Sequence, residues 1–370
     1  MSNRVLHYYG RYLEGPSGVT ESLDSWAKLA QANGFEVEVI SAESSNHRIS
    51  AESPIPVCTV LHVGKGRVWR LPVGLWQKVR RGDILYLHEG WINGNLCAAL
   101  MGRLRGGRVV LMPHGAYAPA IVARTRDPFG ARRLVERAIL RLVNAVHVFY
   151  ATETGEVERI AGTRLKVWVL PNGTILVPRE NRWVGGGSYA LFLGRLDVEG
   201  KGLDRLLATW RDIPDDGPAL IIAGPDYSGG RAVISQLIEK YELSGKVLLP
   251  GLVSGDRKMQ LLRECDIYVH PSRWESCSVA VLEALAAGAP VSLAAEVHAA
   301  PELSRAGVVT PVNFERPEEA ASLIMKNCNE KDLAHRALTW SQRAGTWDSM
   351  GLQYQSLIVG LNDCGGTSQQ

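Results

Sequence analysis

Two glutamates with seven residues between them stand in the segment of this chain that is best suited to bind a ligand, Tyr268–Val291. The residue pattern predicts a strand that ends before Pro271, a loop that carries Glu275, and a helix that carries Glu283. The N-terminus of a helix that follows a loop favours phosphate. Carboxylates beside such a site cannot bind phosphate, so we expect the two glutamates to bind neutral hydroxyls, such as those of a sugar. The alternative is a buried helix with two incidental acids.

A second cluster contains two cations, in Gly194-Arg195-Leu196-Asp197 and in Lys201-Gly202. Arg195 follows directly on a predicted strand, at the carboxyl end where open α/β sheets bind ligands. Lys201 falls at the start of the next predicted helix. An arginine and a lysine that converge there neutralise a diphosphate leaving group. The alternative is two exposed cations on a loop.

These residues resemble a known signature. The glutamate pair, with the ending EALAAGAPV at 283–291, is similar to the donor-binding motif of retaining glycosyltransferases of family 4, which have the GT-B fold. The Gly-Arg-Leu and Lys-Gly pattern of the second cluster is also found in that family, where the basic pair binds the donor diphosphate. This chain departs from the family after Glu275, where Ser276-Cys277-Ser278 replaces the frequent Gly-Phe-Gly. The departure affects the geometry expected at the donor sugar.

The resemblance implies an α/β fold of two doubly wound, Rossmann-like domains that face a cleft. It implies transfer of a sugar from a nucleotide-diphosphate sugar to an acceptor hydroxyl with retention, in polysaccharide or glycoconjugate biosynthesis. Glu275 would orient the donor sugar and Glu283 would hold the ribose. Arg195 and Lys201 would replace a metal, since no Asp-x-Asp motif occurs in a suitable loop. We therefore expect no metal and no cofactor besides the nucleotide-sugar co-substrate.

Several backbone positions are also expected on the donor side. Their common feature is a place at a strand end or a helix start, and they are Gly18, Gly224, Leu252, Val253, Ser278 and Val279. The glycine loop that ends at Gly18 suits backbone N–H groups that face an anion, although it lacks the G-x-G-x-x-G dinucleotide fingerprint. A plain turn is the alternative there. In related enzymes the segment that corresponds to Leu252 contacts the nucleobase through its backbone.

His114 follows a predicted strand in the sequence Pro113-His114-Gly115. In the family, a His-Gly pair in this place lies near the donor sugar, so His114 is a candidate catalytic residue. A lone histidine is more often structural, and that alternative stays open. Trp91, at the end of another predicted strand, either stacks on an acceptor sugar or belongs to the core.

Arg133, Arg137 and Arg141 recur at every fourth position of an amphipathic helix. This cationic stripe predicts a dock for an anionic acceptor, such as a lipid diphosphate, or peripheral contact with acidic lipid headgroups. A solvated helix face is the alternative. The net charge of +3 conceals a basic excess in residues 1–173 and an acidic excess in the remainder. No interleaving of aromatic and basic residues indicates nucleic-acid binding.

The composition is that of a globular protein, with 46% hydrophobic and 21% charged residues among 370. No apolar run approaches the ~20 residues that span a bilayer, and the N-terminus lacks the apolar region of a signal peptide. The six cysteines are scattered, which argues against a disulfide framework or a zinc site. We expect a cytoplasmic protein, with the inner face of the membrane as an alternative location.

Strand and helix patterns alternate along the whole chain, which predicts parallel sheets. The predicted strands are Val5–Tyr9, Glu36–Ser41, Ile84–His88, Val109–Pro113, Ala145–Tyr150, Lys166–Leu170, Ala190–Leu193, Ala219–Ala223, Lys246–Leu249, Asp266–His270 and Pro290–Leu293. The predicted domains are 1–173 on the acceptor side and 174–345 on the nucleotide-sugar side. A helix at 346–362 is expected to return to the first domain, before a disordered tail at 363–370. A nucleotide-sugar epimerase, a phosphorylase or a non-catalytic binding protein of the same fold remains the functional alternative.

Overall fold

The computed structural model describes residues 4–15, 17–43, 55–64, 70–125, 127, 130–174 and 176–363. The chain divides into two compact units. Unit 1 comprises Met1–Asn172 and Trp347–Gln370, and unit 2 comprises Gly173–Thr346. The predicted tail beyond 363 and Pro16 of the glycine loop lie outside the described residues.

Unit 1 is built on a parallel sheet in the order β3-β2-β1-β4-β5-β6-β7. Its strands are β1 (Arg4–Tyr8), β2 (Glu36–Ala42), β3 (Val57–Val60), β4 (Ile84–His88), β5 (Arg108–Met112), β6 (Ala145–Val148) and β7 (Val167–Val169). The central strands are buried on both faces, as parallel sheets require. The strand order reverses between β1 and β4, and ligands bind at such reversal points.

The α-helices of unit 1 are α1 (Gly18–Ala32), α2 (Asn93–Leu104), α3 (Pro119–Arg124), α4 (Ala131–Leu142), α5 (Thr154–Ala161) and the final helix α13 (Trp347–Asp363). The sequence placed the start of α1 at Glu21, which is wrong by one turn. Ser17 caps the helix, because its Oγ accepts a hydrogen bond from the Thr20 N–H at 3.2 Å while Thr20 Oγ1 accepts one from the Ser17 N–H.

Unit 2 repeats this architecture with a sheet in the order β10-β9-β8-β11-β12-β13. Its strands are β8 (Tyr189–Leu193), β9 (Ala219–Ala223), β10 (Val247–Gly251), β11 (Ile267–His270), β12 (Val291–Ala294) and β13 (Thr310–Val312). Its α-helices are α6 (Leu203–Arg211), α7 (Gly230–Lys240), α8 (Gly255–Glu264), α9 (Val279–Ala287), α10 (Ala300–Arg305), α11 (Pro317–Asn327) and α12 (Lys331–Arg343). Here the order reverses between β8 and β11, so the loops after these two strands are neighbours.

The prediction of two doubly wound α/β domains is confirmed, and each predicted strand is present with ends that shift by at most two residues. The sequence missed β3 and β13. Each is a short edge strand that pairs with one neighbour only. Pro311 stands inside β13, and a proline lowers the strand signal because it removes a ladder donor, which only an edge tolerates.

A buried amide organises the end of unit 1. The Oδ1 atom of Asn172 accepts hydrogen bonds from Ser22 Oγ at 2.8 Å and from the indole N–H of Trp26 at 2.9 Å. The ring of Trp26 packs edge-on against Trp347 of α13, with centroids 5.0 Å apart. A buried indole N–H needs an acceptor, so Asn172 stabilises the position at which α1 meets α13.

Replacing Asn172 with leucine is expected to lower the free energy of unfolding by about 2–4 kcal/mol, since each buried donor left without an acceptor costs about 1–3 kcal/mol. Urea denaturation followed by tryptophan fluorescence measures the change. Gln31→Ala is the control, because Gln31 is an exposed residue of α1, the helix that donates both hydrogen bonds to Asn172. An Asn172→Leu variant as stable as this control would contradict the role given to the amide.

Candidate functional site

The loops after β8 and β11 meet through a lysine and a glutamate. Lys201 Nζ forms an ion pair with Glu275 Oε2, and their side chains are only 18% and 22% exposed. The backbones of the two loops also approach each other closely, at Gly202 and Pro271. Gly202 has a left-handed conformation with φ of 64°, and a Cβ at this position would clash with the carbonyl oxygen of Pro271. Only glycine therefore permits this approach of the two loops.

Glu275 is an anion in this setting. Burial alone raises the pKa of its carboxyl group, but the charge of Lys201 and the contact with His270 outweigh burial and hold that pKa below its usual range. The Nε2 atom of His270 lies 3.6 Å from Glu275 Oε2 and 3.0 Å from Ser272 Oγ. An ionised carboxylate accepts hydrogen bonds only, which suits it to hydroxyl groups.

Glu283, the second predicted acid, lies on α9 and accepts a hydrogen bond from Lys258 Nζ of α8 at 2.6 Å. The two side chains are 23% and 29% exposed, respectively. The charges of Glu283 and Glu275 both affect the buried phenol of Tyr268 in β11. Burial raises the pKa of Tyr268 well above its usual value, and the two negative charges raise it further. The structure thus places both acids around the end of one strand.

Ser278 forms the N-cap of α9, where its Oγ accepts from the Val281 N–H at 3.4 Å. Val279 is the first helical residue and is half-buried. The departure Ser276-Cys277-Ser278 from the family pattern therefore supplies a helix cap. The hydroxyl satisfies one N–H group of the first turn, and the other N–H groups there have no intrahelical partner, as at any helix start.

Backbone hydrogen bonds connect the loops after β8, β9 and β10 in series. Gly194 N donates to Ala223 O at 3.0 Å, and Gly224 N donates to Gly251 O at 2.8 Å. Gly224 has φ of 156°, and a Cβ there would clash with the carbonyl oxygen of Gly194. These bonds place the predicted donor residues Arg195, Gly224, Leu252 and Val253 along the carboxyl edge of one sheet.

Arg195 is exposed, and its guanidinium lies 4.8 Å from the ring centroid of Tyr227. Within the described part of the chain, Arg195 forms no ion pair with a carboxylate, in contrast to Lys201. Leu252 is 71% exposed and Val253 is half-buried. The structure thus joins Lys201 to Glu275 but leaves Arg195 on a separate stacking contact.

Sequence reasoning missed a buried arginine beneath the site. The Arg205 side chain is 4% exposed and pairs with Glu296 and Glu315. Its Nε donates to the carbonyl oxygen of Pro271 at 2.8 Å, so Arg205 holds the loop that leads to Glu275. The only sequence signal is its position one helical turn after Lys201.

Three further polar residues of unit 2 were also missed: Lys258, His270 and Arg273. Arg273 forms two hydrogen bonds with the carboxylate of Asp204, at 2.7 and 2.8 Å.

The described residues contain no group of three or more His, Cys, Asp or Glu side chains with metal-binding geometry.

In unit 1, residues at the carboxyl ends of β4 and β5 have left-handed backbones. The φ angles are 69° at Glu89, 62° at Trp91 and 53° at His114. Such conformations are costly for residues other than glycine and concentrate at functional sites. The ring of His114 bonds through Nε2 to Nδ1 of His88 at 2.9 Å. Trp91 is buried and donates through Nε1 to Ala116 O at 2.7 Å, which favours its core interpretation.

Gly18 is the first residue of α1, directly after the Ser17 cap. A Cβ on Gly18 would meet no atom within 4 Å. Space around this position is therefore open, and the local packing does not require glycine there.

The predicted arginine stripe on α4 is not uniform. Arg137 Nε donates to the carbonyl oxygen of Ile160 in α5 at 3.1 Å, so this side chain has a structural bond. The Nε atom of Arg133 is buried without a hydrogen-bond partner among the described residues, and Arg141 is exposed. The three arginines therefore differ in their surroundings, and their acceptor-side role stays a prediction.

A buried acid on α4 was also missed. Glu136 accepts hydrogen bonds from Tyr117 Oη at 2.5 Å and from the Trp91 N–H at 3.1 Å. Burial raises the pKa of Glu136 to about 7, although the two hydrogen bonds act in the opposite direction. Its position between arginines in the sequence gave no sign that it faces the core.

None of the helices in the described ranges combines the length and the apolar character that crossing a membrane would need.

Sequence models of two families match consecutive parts of the chain. They are "Glycosyltransferase Family 4" over residues 16–176 and "Glycosyl transferases group 1" over residues 177–341. One similar protein is the GDP-mannose:cellobiosyl-diphosphopolyprenol alpha-mannosyltransferase of Xanthomonas oryzae pv. oryzae, which is 24% identical in an alignment of length 301 that covers 77% of each chain. Another is the phosphatidyl-myo-inositol mannosyltransferase of Propionibacterium freudenreichii subsp. shermanii, which is 27% identical in an alignment of length 298 that covers 75% of this chain and 73% of the relative.

Solved structures show the same fold. Sucrose-phosphate synthase from Thermosynechococcus elongatus has a TM-score of 0.77 and 17% identity, over 98% of this chain and 99% of its own. Anabaena HepE in complex with UDP and glucose has a TM-score of 0.75 and 18% identity, over 96% of this chain and 99% of its own. These likenesses confirm the predicted GT-B fold.

The two family matches cover both units, and both sheets have the doubly wound order with their polar residues at the strand reversal. The signature at Glu275 and Glu283, the cation Lys201 and the architecture thus agree. This chain belongs to family 4 of the glycosyltransferases and has the GT-B fold.

Proposed function

We propose that the protein transfers a sugar from a nucleotide-diphosphate sugar to an acceptor hydroxyl with retention of configuration. The observation that carries the proposal is the Lys201–Glu275 pair at the reversal between β8 and β11. A sugar diphosphate needs a cation for its phosphates beside an acceptor for its hydroxyls, and this pair supplies both. The structure of Anabaena HepE, which has the same fold, is a complex with UDP and glucose, and this supports a nucleotide-sugar donor.

Each side chain then has one task. Lys201 binds the diphosphate, and Arg195, exposed on the same sheet edge, adds a second positive charge. Glu275 accepts a hydrogen bond from a sugar hydroxyl, and Glu283 accepts from the ribose. The open first turn of α9, after Ser278, offers N–H groups and a favourable dipole to phosphate oxygens.

In the proposed reaction the bond between the sugar C1 and the diphosphate oxygen breaks, and a bond from C1 to the acceptor oxygen forms on the same face. The leaving phosphate oxygen takes the proton of the acceptor hydroxyl. Lys201 and Arg195 stabilise the negative charge that develops on the leaving group. This scheme needs neither a nucleophile of the enzyme nor a metal. His114 would contact the sugar, as the family resemblance implies.

We further propose an anionic, lipid-linked acceptor, in the assembly of a glycoconjugate at a membrane surface. The names of two relatives state acceptors of this chemistry, a diphosphopolyprenol and a phosphatidylinositol. On α4, Leu134 follows Arg133 directly, precedes Arg141 by two turns and is 63% exposed. A surface that combines cations with an exposed apolar side chain suits the headgroup region of an acidic membrane.

Lys201→Ala is expected to lower turnover by a factor of about 10²–10³, because a charge contact to the leaving group contributes roughly 3–4 kcal/mol to transition-state stabilisation. The same variant should weaken binding of UDP and GDP, measured by calorimetry. Lys326→Ala is the control, since Lys326 is an exposed lysine of unit 2. Near-normal turnover and nucleotide affinity in Lys201→Ala would refute the diphosphate assignment.

EDTA is expected to leave turnover of the purified protein unchanged, because the fixed cations replace a metal in the proposed reaction. The assay compares initial rates before and after chelation and dialysis. A rate that is lost and then recovered on addition of manganese would show that the metal-free scheme is wrong.

Reversing Arg133 and Arg141 to glutamate is expected to weaken binding to anionic vesicles by more than tenfold, since each basic residue near such a surface contributes about 1 kcal/mol. Vesicle co-sedimentation with phosphatidylglycerol, compared with phosphatidylcholine, measures the effect. Arg305→Glu with Arg343→Glu is the charge-matched control in unit 2, where both arginines are exposed. Equal binding by the two double variants would favour the alternative, in which the arginines of α4 form an ordinary solvated helix face.

A further inference from the structure

Three histidines form an unbroken hydrogen-bonded row in unit 1. His7 of β1 bonds through Nδ1 to Nε2 of His88 at 2.9 Å, and His88 bonds through Nδ1 to Nε2 of His114 at 2.9 Å. His7 and His88 are buried within the sheet, while His114 is half-buried at its edge. The row leads from the core of the unit to the residue that the family resemblance places near the donor sugar.

All three rings are neutral at physiological pH. Burial, followed by repulsion from neighbouring histidines, lowers the pKa of His7 and of His114 to about 3 and that of His88 well below its usual value. A neutral imidazole carries one N–H and one bare nitrogen. Each ring in the row therefore donates through one nitrogen and accepts through the other.

This condition leaves two proton patterns. If His88 donates from Nδ1 to His114, its Nε2 must accept from His7, and all three rings carry the proton on Nδ1. If His88 donates from Nε2 to His7, its Nδ1 must accept from His114, and all three carry it on Nε2. A mixture of the two would leave one contact of 2.9 Å with two donors or two bare nitrogens.

We propose that His7 and His88 are positioning residues that fix which nitrogen of His114 carries its proton. The rings couple as a unit, so His114 presents one defined group at its Nδ1 rather than an average set by solvent. Among the described residues this Nδ1 has no hydrogen-bond partner, and it is the group left for a ligand oxygen. The coupling itself follows from geometry, and only its use in sugar binding rests on the proposed function.

The buried end of the row favours the pattern with protons on Nδ1. His7 Nε2 lies in the core without a hydrogen-bond partner in the described structure. A buried N–H without an acceptor is rarer in proteins than an unsatisfied acceptor. In the neighbouring His147 the buried nitrogen without a partner is likewise the bare one. There Nε2 carries the proton and donates to the Leu170 carbonyl at 2.9 Å, while Nδ1 has no partner. In this pattern His114 is a hydrogen-bond donor to its ligand.

The test is a ¹⁵N NMR spectrum of the full-length protein labelled at histidine, in which protonated and bare imidazole nitrogens have well-separated shifts. Assignment uses single substitutions of the three residues. The proposal expects one and the same tautomer at His7, His88 and His114, and the spectrum also shows whether His114 Nδ1 donates or accepts. Different tautomers within the row, or solvent-averaged shifts at His114, would overturn it.

The matched variants are His88→Phe and His147→Phe, each of which removes one buried imidazole of the same sheet. Only His88→Phe is expected to shift the His114 tautomer, because His147 makes no hydrogen bond to the row. An unchanged His114 in His88→Phe would also overturn the proposal. His88→Gln replaces it if the phenylalanine variant does not fold. The NMR test needs no substrate. If the three rings prove uncoupled, the Lys201 experiments are unaffected, and if the diphosphate assignment fails, the tautomers found by NMR remain valid.

Discussion

The ion pair between Lys201 and Glu275 is the contact on which the proposed chemistry of this glycosyltransferase depends. The charge of Lys201, together with the contact to His270, holds Glu275 in the ionised form, so the pKa of Glu275 falls despite burial. Removal of either partner would leave an uncompensated charge, and that cost exceeds the net contribution of the intact pair. The site is therefore sensitive to any change that moves one loop against the other.

Close backbone packing keeps the two loops in register. Gly202 lets the loop after β8 approach Pro271, and Arg205 donates to the carbonyl oxygen of that same proline. Arg205 is itself neutralised by Glu296 and Glu315. Behind Lys201 and Glu275 lies a second layer of charges, which holds the loop that leads to Glu275. Rigid support of this kind lowers the reorganisation that a bound diphosphate requires.

Unit 1 combines neutral histidines with an ion pair at its strand reversal, where Arg11 Nη1 lies 3.8 Å from Glu89 Oε2. Its reversal point holds histidines whose pKa values are lowered by burial, next to residues with left-handed backbones at Glu89, Trp91 and His114. The neutral rings offer directed hydrogen bonds to a ligand. The proposed diphosphate site of unit 2 relies instead on the cations Lys201 and Arg195.

Local sequence patterns were enough to predict the alternation of strands and helices, the reversal of each sheet and the loops that carry Lys201, Glu275 and Glu283. The reason is that periodicity, glycine and proline act within a few residues of themselves. The roles expected for these side chains remain predictions.

The partners of those side chains were decided by the tertiary structure. Lys258 meets Glu283 because α8 packs against α9. Arg205 meets Pro271 because β8 and β11, which are far apart in sequence, lie side by side. Likewise, the burial of Glu136 and the row from His7 to His114 arise from packing between elements. A hydrogen bond depends on distance in space, and a linear pattern carries no measure of that distance until the sheet brings its strand ends together.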